Sequence, residues 1–340
     1  MDAAAAGWYN HGKEVEEGDI PMRLVKRVLL LLIPLLLALG AAALAEEPAA
    51  RIELEGEAEL DWLCGVPYAE PGYTAYSAAG EDVTASVRVE GEPVVWRVGD
   101  YVVRYLLTDG TGACVSAQRT VHVIPQTLPE TVMPPKGTIC LTFDDGPCED
   151  TAEVLDILKK YDIHAAFFII GNRTRYLDLL PRIVEEGHTL GIHCYDHQSY
   201  GMLYRDEEHY FTDLMRVQEI IYEKTGDYAH TVRFPGGAWT ASYLYGTLPG
   251  GSRQLYAMLA DMGIREYDWN VQPESEEKTV EGTIVSFTHP ASRYEYAVVL
   301  QHDARRFSVR ALEQMIQWAL DEGYTFARLD ETFPEIHRGD

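Results

Sequence analysis

The chain has 340 residues, 46% of them hydrophobic, and a formal net charge of −26 at pH 7. This length accommodates two domains and a leader, and the apolar content excludes a disordered polypeptide. The acidic balance argues against nucleic acid or an anionic membrane as partner, because like charge repels both.

At the amino terminus Arg23, Lys26 and Arg27 precede an apolar run from Val28 to Leu44, which ends in Ala43-Leu44-Ala45. A basic segment, an apolar stretch and a small-x-small site make a secretory signal peptide, with cleavage expected after Ala45. The same run is long enough to remain as a membrane anchor. Met22 lies immediately upstream and offers a second start for this 1–45 leader. On either reading the rest of the chain is extracellular, secreted or anchored at the cell surface. Five cysteines, Cys64, Cys114, Cys140, Cys148 and Cys194, leave at least one without an intramolecular partner. No Cys-x-x-Cys pair is present, which removes a zinc ribbon or thioredoxin-type site. Cys64 with Cys114, and less so Cys148 with Cys194, are the pairs that could bridge.

Residues 46–124 read as short alternating strands between glycine turns. In Tyr101-Val102-Val103-Arg104-Tyr105-Leu106-Leu107 the odd positions form one apolar face, and Thr120–Ile124 repeats the pattern. Strands at this spacing predict a small β-sandwich. Residues 125–136, PQTLPETVMPPK, hold four prolines and read as a semi-rigid linker. From 137 to 340 the pattern changes to apolar strands alternating with amphipathic helices. Strands are expected at 138–143, 165–170, 189–192, 231–234, 264–268, 297–301 and 324–328, with an irregular stretch after 268. Such alternation predicts an α/β fold whose parallel sheet closes into a (β/α) barrel.

Five polar clusters fall where these strands run out: Thr142-Phe143-Asp144-Asp145-Gly146-Pro147, His193-Cys194-Tyr195-Asp196-His197, Arg233-Phe234-Pro235-Gly236-Gly237, Asp268-Trp269-Asn270 and Leu300-Gln301-His302-Asp303. Carboxyl ends of barrel strands face one mouth, so residues distant in sequence can converge there. Each cluster alone is compatible with turn chemistry; all five together are not.

In this order the clusters resemble the motifs of the polysaccharide deacetylases, carbohydrate esterase family 4, with their NodB-homology fold. The 46–124 segment, with Tyr68-x-x-Pro71-Gly72 and Tyr105-x-x-Thr108-Asp109-x-x-Gly112, more loosely resembles bacterial immunoglobulin-like modules. The first resemblance implies a distorted (β/α) barrel and a divalent metal, zinc or sometimes cobalt, held by Asp145, His193 and His197. It further implies Asp144 as catalytic base and His302 as catalytic acid. Arg233 would orient Asp144, and Asp268 would support His302. Pro235, Gly236, Trp269 and Leu300 would meet the substrate. The residue types agree: one carboxylate and two imidazoles suit zinc with a position left open, Asp144 can accept a proton from water, and a histidine titrates near neutrality. The substrate implied is an acetylated polysaccharide, foremost N-acetylglucosamine of cell-wall peptidoglycan, with chitin oligomers, exopolysaccharide or xylan as alternatives. A glycan-binding protein that merely keeps the fold would need neither base nor acid. Cys194 stands where the family has Ser or Thr, Gly236 where many members have an aromatic residue, and Val271-Gln272-Pro273-Glu274 replaces a small polar continuation.

Overall fold

The computed structural model describes residues 49–337 apart from 109, 111, 113, 198, 246–250 and 275–277; the expected leader therefore lies outside the described residues. No helix among the described residues is long and apolar enough to cross a membrane.

The amino-terminal region is all β. Strands β1 (Arg51–Leu54) and β3 (Tyr73–Tyr76) pair antiparallel. The strands β2 (Glu59–Leu63), β4 (Arg88–Glu90), β5 (Gly99–Thr108) and β6 (Cys114–Ile124) form a second sheet in the order β2-β6-β5-β4. As the period-two pattern predicts, Val103, Tyr105, Leu107, Val121 and Val123 are buried. The same face of β6 also carries Arg119, which is fully buried. Its guanidinium donates to the carbonyls of Glu55 (2.8 Å), Gly72 (3.2 Å) and Glu57, and pairs with Glu70 at 3.2 Å. A buried charge persists only when paired and hydrogen-bonded; here it ties the β1–β2 and 70–72 turns to β6. The cysteines are unpaired among the described residues, Cys64 buried and Cys114 exposed, so neither anticipated bridge forms.

This β region packs on the remainder of the chain. Trp96 stacks on Phe211 with centroids 5.2 Å apart, and Arg97 pairs with Glu207. The 125–136 segment is held along its length: the Gln126 side chain donates to the Cys64 (2.6 Å) and Met262 (2.8 Å) carbonyls, and Arg265 donates to Pro129 O (2.9 Å) and Thr131 Oγ1 (3.0 Å).

Residues 138–337 alternate β and α: β7 (Thr138–Asp144), α1 (Thr151–Tyr161), β8 (Ala166–Ile170), α2 (Leu180–Glu185), β9 (Thr189–Cys194), α3 (Tyr200–Leu203), α4 (Glu207–Thr225), β10 (Thr231–Val232), α5 (Gly237–Tyr245), α6 (Gly251–Asp261), β11 (Arg265–Glu266), α7 (Val280–Ala291), β12 (Tyr296–His302), α8 (Arg306–Asp321) and β13 (Thr325–Phe326). The strands form one curled parallel sheet, a half-barrel, in the order β11-β10-β9-β8-β7-β12, with β13 beside the start of β7. A single bridge, Val271 to Val299, spans from the chain past β11 to β12. The carboxyl-terminal segment lines that seam, where Asp268 N–H donates to Ile336 O and Phe333 packs between Tyr267 and Tyr296. The expected barrel is thus a curled sheet whose seam is crossed by one bridge rather than a full ladder.

The sheet sorts its residues by parity. On β7, Ile139, Leu141 and Phe143 join the core under the helices, as do Phe167 and Ile169 of β8 and Val299 of β12. The alternate residues Cys140, Phe168, Val298 and Leu300 pack together inside the curl. Side chains two apart share a face of a strand, so Asp144 and His302 point inward with them. The stretch after 268 contains a helix that the sequence reading left irregular. In α7 the Thr279 side chain caps Gly282 N–H at 3.0 Å, and Phe287 meets Trp318 of α8 edge-on at 5.4 Å. Packing overrides its β-branched composition and the internal Pro290.

Because the two regions share the Trp96–Phe211 stack and the Gln126 bonds, proteolysis at the exposed Val132-Met133 should leave fragments that co-elute in gel filtration. Trp96→Ala should lower the melting temperature, a stacked pair being worth about 0.5–1.5 kcal/mol beyond its buried area. Fragments that separate freely and an unchanged melting temperature would show that the contact is incidental.

Candidate active site

Arg233 organises the inward face. It is fully buried, and its guanidinium donates to Asp144 Oδ1 (3.0 Å), Thr142 Oγ1 (2.5 Å) and the carbonyls of Tyr267 and Asp268 (both 2.8 Å). Phe168 lies under it, with the guanidinium carbon 4.3 Å from the ring centroid. Asp144 is itself buried, so its carboxylate is held by one charged donor in one orientation.

The next residue turns the chain. Asp145 has φ 70°, in the left-handed region where Asp is among the tolerated residues. At Gly146 a Cβ would overlap the Asp303 carboxylate, so only glycine fits that corner. Burial pushes the Asp303 carboxyl up to about 6, partly offset by the Thr151 hydroxyl that donates to it. The reversal directs the Asp145 carboxylate at three imidazoles: Oδ1 is 3.6 Å from His193 Nε2 and 4.0 Å from His197 Nε2, and Oδ2 is 3.7 Å from His302 Nε2.

Asp145, His193 and His197 offer ligand atoms all within 4.8 Å of one another. The Nδ1 of His193 lies 2.8 Å from the Arg233 carbonyl. A carbonyl only accepts, so Nδ1 carries the proton and Nε2 presents a lone pair to the cluster. Burial lowers the pKa of His193, favouring that neutral form over the opposing pull of Asp144 and Asp145. Asp145 Oδ1 is buried and has no hydrogen-bond partner. A lone-pair nitrogen facing a buried, unsatisfied carboxylate oxygen is unfavourable without a cation between them. The donor set therefore fits a divalent metal.

The turn that carries both histidines is braced by Asp213 of α4, which sequence reasoning missed. Its carboxylate accepts the Tyr195 N–H at 2.7 Å and also that of Asp196. Arg216 lies 3.4 Å above the Tyr195 ring. Cys194 is buried, and burial pushes its thiol well up, so it remains a neutral packing group. An Asp on the polar register of an amphipathic helix gives no sequence signal of this role.

His302 is the β-ladder partner of Asp144, so the two inward residues adjoin across β12 and β7. The His302 imidazole is held by Glu274, a residue that sequence reasoning missed. Glu274 accepts both the His302 N–H (Oε1, 2.6 Å) and Nδ1 (Oε2, 2.7 Å), and it also pairs with Arg305 at 2.7 Å. Asp268 instead accepts the Ala238 N–H at 2.9 Å, which fixes the start of α5. The reason is the path of the chain: past the Val271 bridge it runs parallel to β12 and delivers Glu274 to the end of that strand. Burial presses the His302 pKa down, but the Glu274 hydrogen bond and charge, with Asp144 and Asp145 behind, raise it overall.

Of the expected substrate contacts, Gly236 is exposed at φ 79°, while Pro235 is buried and its carbonyl accepts the Tyr204 hydroxyl. Trp269 and Leu300 are nearly buried, 7% and 4% exposed, and pack together inside the curl. His289 lies outside the cluster, exposed on α7. A cleft of about 1280 Å³ lies between the β region and α4 and α6, lined by Trp96, Arg97, Asp206 and Gln254 among others. No residue of the Asp145 cluster lines it, so the chemistry belongs to the open mouth of the sheet.

A partly buried Asp–His–His cluster at the carboxyl ends of parallel strands, with an Arg-held carboxylate and a carboxylate-paired histidine beside it, is the constitution of a metal-dependent hydrolase. Residues 131–248 match the polysaccharide deacetylase family, and residues 52–123 match the bacterial surface protein Ig-like domain. The catalytic domain of a peptidoglycan N-acetylglucosamine deacetylase from Eubacterium rectale is 35% identical with TM-score 0.57, the match covering 62% of this chain and 96% of that one. A peptidoglycan-N-acetylglucosamine deacetylase of Bacillus cereus is 29% identical over 203 residues, 56% of this chain and 68% of its own length. PgdA of Listeria monocytogenes, bearing the same activity name, is 28% identical over 199 residues, and the match spans 58% of this chain but only 39% of PgdA. The chain belongs to the polysaccharide deacetylase family and carries a bacterial Ig-like domain ahead of the deacetylase domain.

Asp145→Asn should weaken binding of a divalent ion, measured by chelator competition, whereas Asp144→Asn should leave it nearly intact. Asp213→Ala should lower metal affinity by about 10- to 100-fold, the usual cost of removing an outer support of a ligand. Equal affinities in all three variants would place the metal elsewhere.

Proposed function

We propose that the deacetylase domain hydrolyses the acetamido group of N-acetylglucosamine units in peptidoglycan, outside the cytoplasm, with zinc at Asp145, His193 and His197. The observation that carries this reading is the adjacency of Asp144 and His302 on neighbouring strands beside that cluster. Two imidazoles and one carboxylate suit zinc, and cobalt secondarily, better than the all-oxygen sites preferred by magnesium or calcium. When bound, the ion would polarise the acetyl carbonyl and acidify water.

The chain's own residues divide the proton transfers. Asp144 receives the proton of the attacking water, and the Arg233 bond holds its carboxylate in line. The exposed backbone at Gly236 offers an N–H toward the developing oxyanion. His302 then donates a proton from Nε2 to the departing amine, since an amine leaves only when protonated. Glu274, not Asp268, holds the imidazole by Nδ1 and stabilises its cationic form. Trp269 and Leu300 wall the site on the inner side. The names of the relatives favour peptidoglycan as substrate, and the Ig-like domain fits a protein displayed near a cell surface. Acetate release from peptidoglycan, chitooligosaccharide and acetylxylan by the zinc-loaded 46–340 protein tests the assignment; release from acetylxylan alone would reject it.

Two further outcomes are expected. Asp144→Asn should lower kcat by about 10²–10⁴-fold, the usual contribution of a general base. The pH profile should be bell-shaped, with its alkaline limb set by loss of the His302 proton. Glu274 raises that pKa, so Glu274→Gln should move the alkaline limb to lower pH, whereas Asp268→Asn should not. An alkaline limb unmoved in Glu274→Gln would remove this pair from the mechanism.

A further inference from the structure

The inward faces of the strand ends leave an apolar surface beside them unexplained. Helix α5 starts at Gly237, directly after the exposed Gly236, and its first turn is fixed by Asp268 through the Ala238 N–H. Trp239 and Tyr243 follow at i and i+4, the spacing that puts two side chains on one helix face. They are 67% and 68% exposed. Their rings lie nearly parallel, 8° between planes and 5.6 Å between centroids. Neither belongs to the buried core. Helix α3 packs against α5 and adds Tyr200 and Met202, also exposed. The Tyr200 ring meets His197 edge-on at 5.4 Å.

Single exposed apolar side chains are ordinary, but four on adjoining helices, beginning at a histidine of the metal-ligand cluster, form a patch of the kind that binds something. Continuity argues for the occupant. The patch starts at His197 and Gly236, where an acetamido sugar would be processed, and a polymeric substrate must leave that position across a neighbouring surface. Uncharged pyranose rings present C–H faces that match flat aromatic faces, and they meet no repulsion from an acidic protein.

We propose that Tyr200, Met202, Trp239 and Tyr243 form a ledge on which successive pyranose rings of the glycan strand stack, outside the sugar being deacetylated. This rests on the deacetylase reading and adds to it where the rest of the strand lies. Remote binding of this kind strengthens with substrate length, because a short oligomer never reaches the ledge.

The test compares wild type, Trp239→Ala/Tyr243→Ala and Trp239→Phe/Tyr243→Phe in the full, zinc-loaded chain. Acetate release is measured on the N-acetylglucosamine dimer and pentamer, and pentamer Kd is measured by calorimetry in the slow Asp144→Asn background. The alanine pair should lower kcat/KM on the pentamer by about 10-fold or more, chiefly through KM, and weaken its Kd in parallel. On the dimer the loss should stay below about 2-fold, the ledge lying beyond its reach. The phenylalanine pair should retain most pentamer affinity, since it keeps two aromatic faces. Equal losses on dimer and pentamer, or none on either, would overturn the ledge. So would alanine variants that convert a dimeric protein to a monomer while pentamer kinetics stay unchanged, since the face would then hold a second copy. Length-dependent pentamer binding, lost in the alanine pair but without acetate release from any form, would keep the ledge and reject the deacetylase reading instead.

Discussion

The interior of the half-barrel depends on one buried guanidinium. Arg233 sits where an unpaired charge would be prohibitively costly, and its partners come from two parts of the site: Asp144 and Thr142 on β7, and the Tyr267 and Asp268 carbonyls past β11. Its own carbonyl holds His193 Nδ1. The side chain thus orients one carboxylate, and the main chain of the same residue sets the tautomer of the His193 imidazole. Removing the cation would leave the Asp144 carboxylate buried without its charged donor and free the ends of two strands that now converge on it.

Around that ion pair the parity of the strands arranges everything else. Asp144 lies four residues beyond Cys140, and His302 four beyond Val298; both inherit an inward direction from apolar residues that the curl buries. The Asp145 carboxylate breaks the rule, because a strict alternation would send it into the helical layer. Its left-handed φ returns the side chain to the mouth, and the glycine that follows makes space for Asp303. Two adjacent aspartates can serve different groups because the chain reverses between them.

This explains what could be read from the sequence. Strand alternation and five polar clusters at strand ends sufficed to place Asp144, Asp145, His193, His197, Arg233 and His302 at one mouth, since each lies at the end of a strand or in the turn that directly follows it. Glu274 and Asp213 could not be found in that way. One comes from a loop whose course depends on a single bridge at Val271, and the other from a helix face whose target is a turn eighteen residues earlier. Helix α7 escaped for a related reason: its composition favours strand, and only its contact with α8 and its Thr279 cap make it helical. The β region was legible as alternating strands, but the buried Arg119 that secures its turns was not, because charge in a strand normally signals the outer face.

The Glu274 carboxylate is shared between His302, mostly enclosed, and Arg305, whose side chain is 43% exposed. An electrostatic path therefore runs from solvent to the imidazole in two steps. Dissolved salt screens the outer step more than the inner one, and a dense array of fixed negative charges would draw on Arg305 directly. The basicity of a group at the mouth of the sheet thereby becomes responsive to the ionic character of the medium, so an enzyme of this build would behave differently in dilute buffer than within a charged polymer mesh.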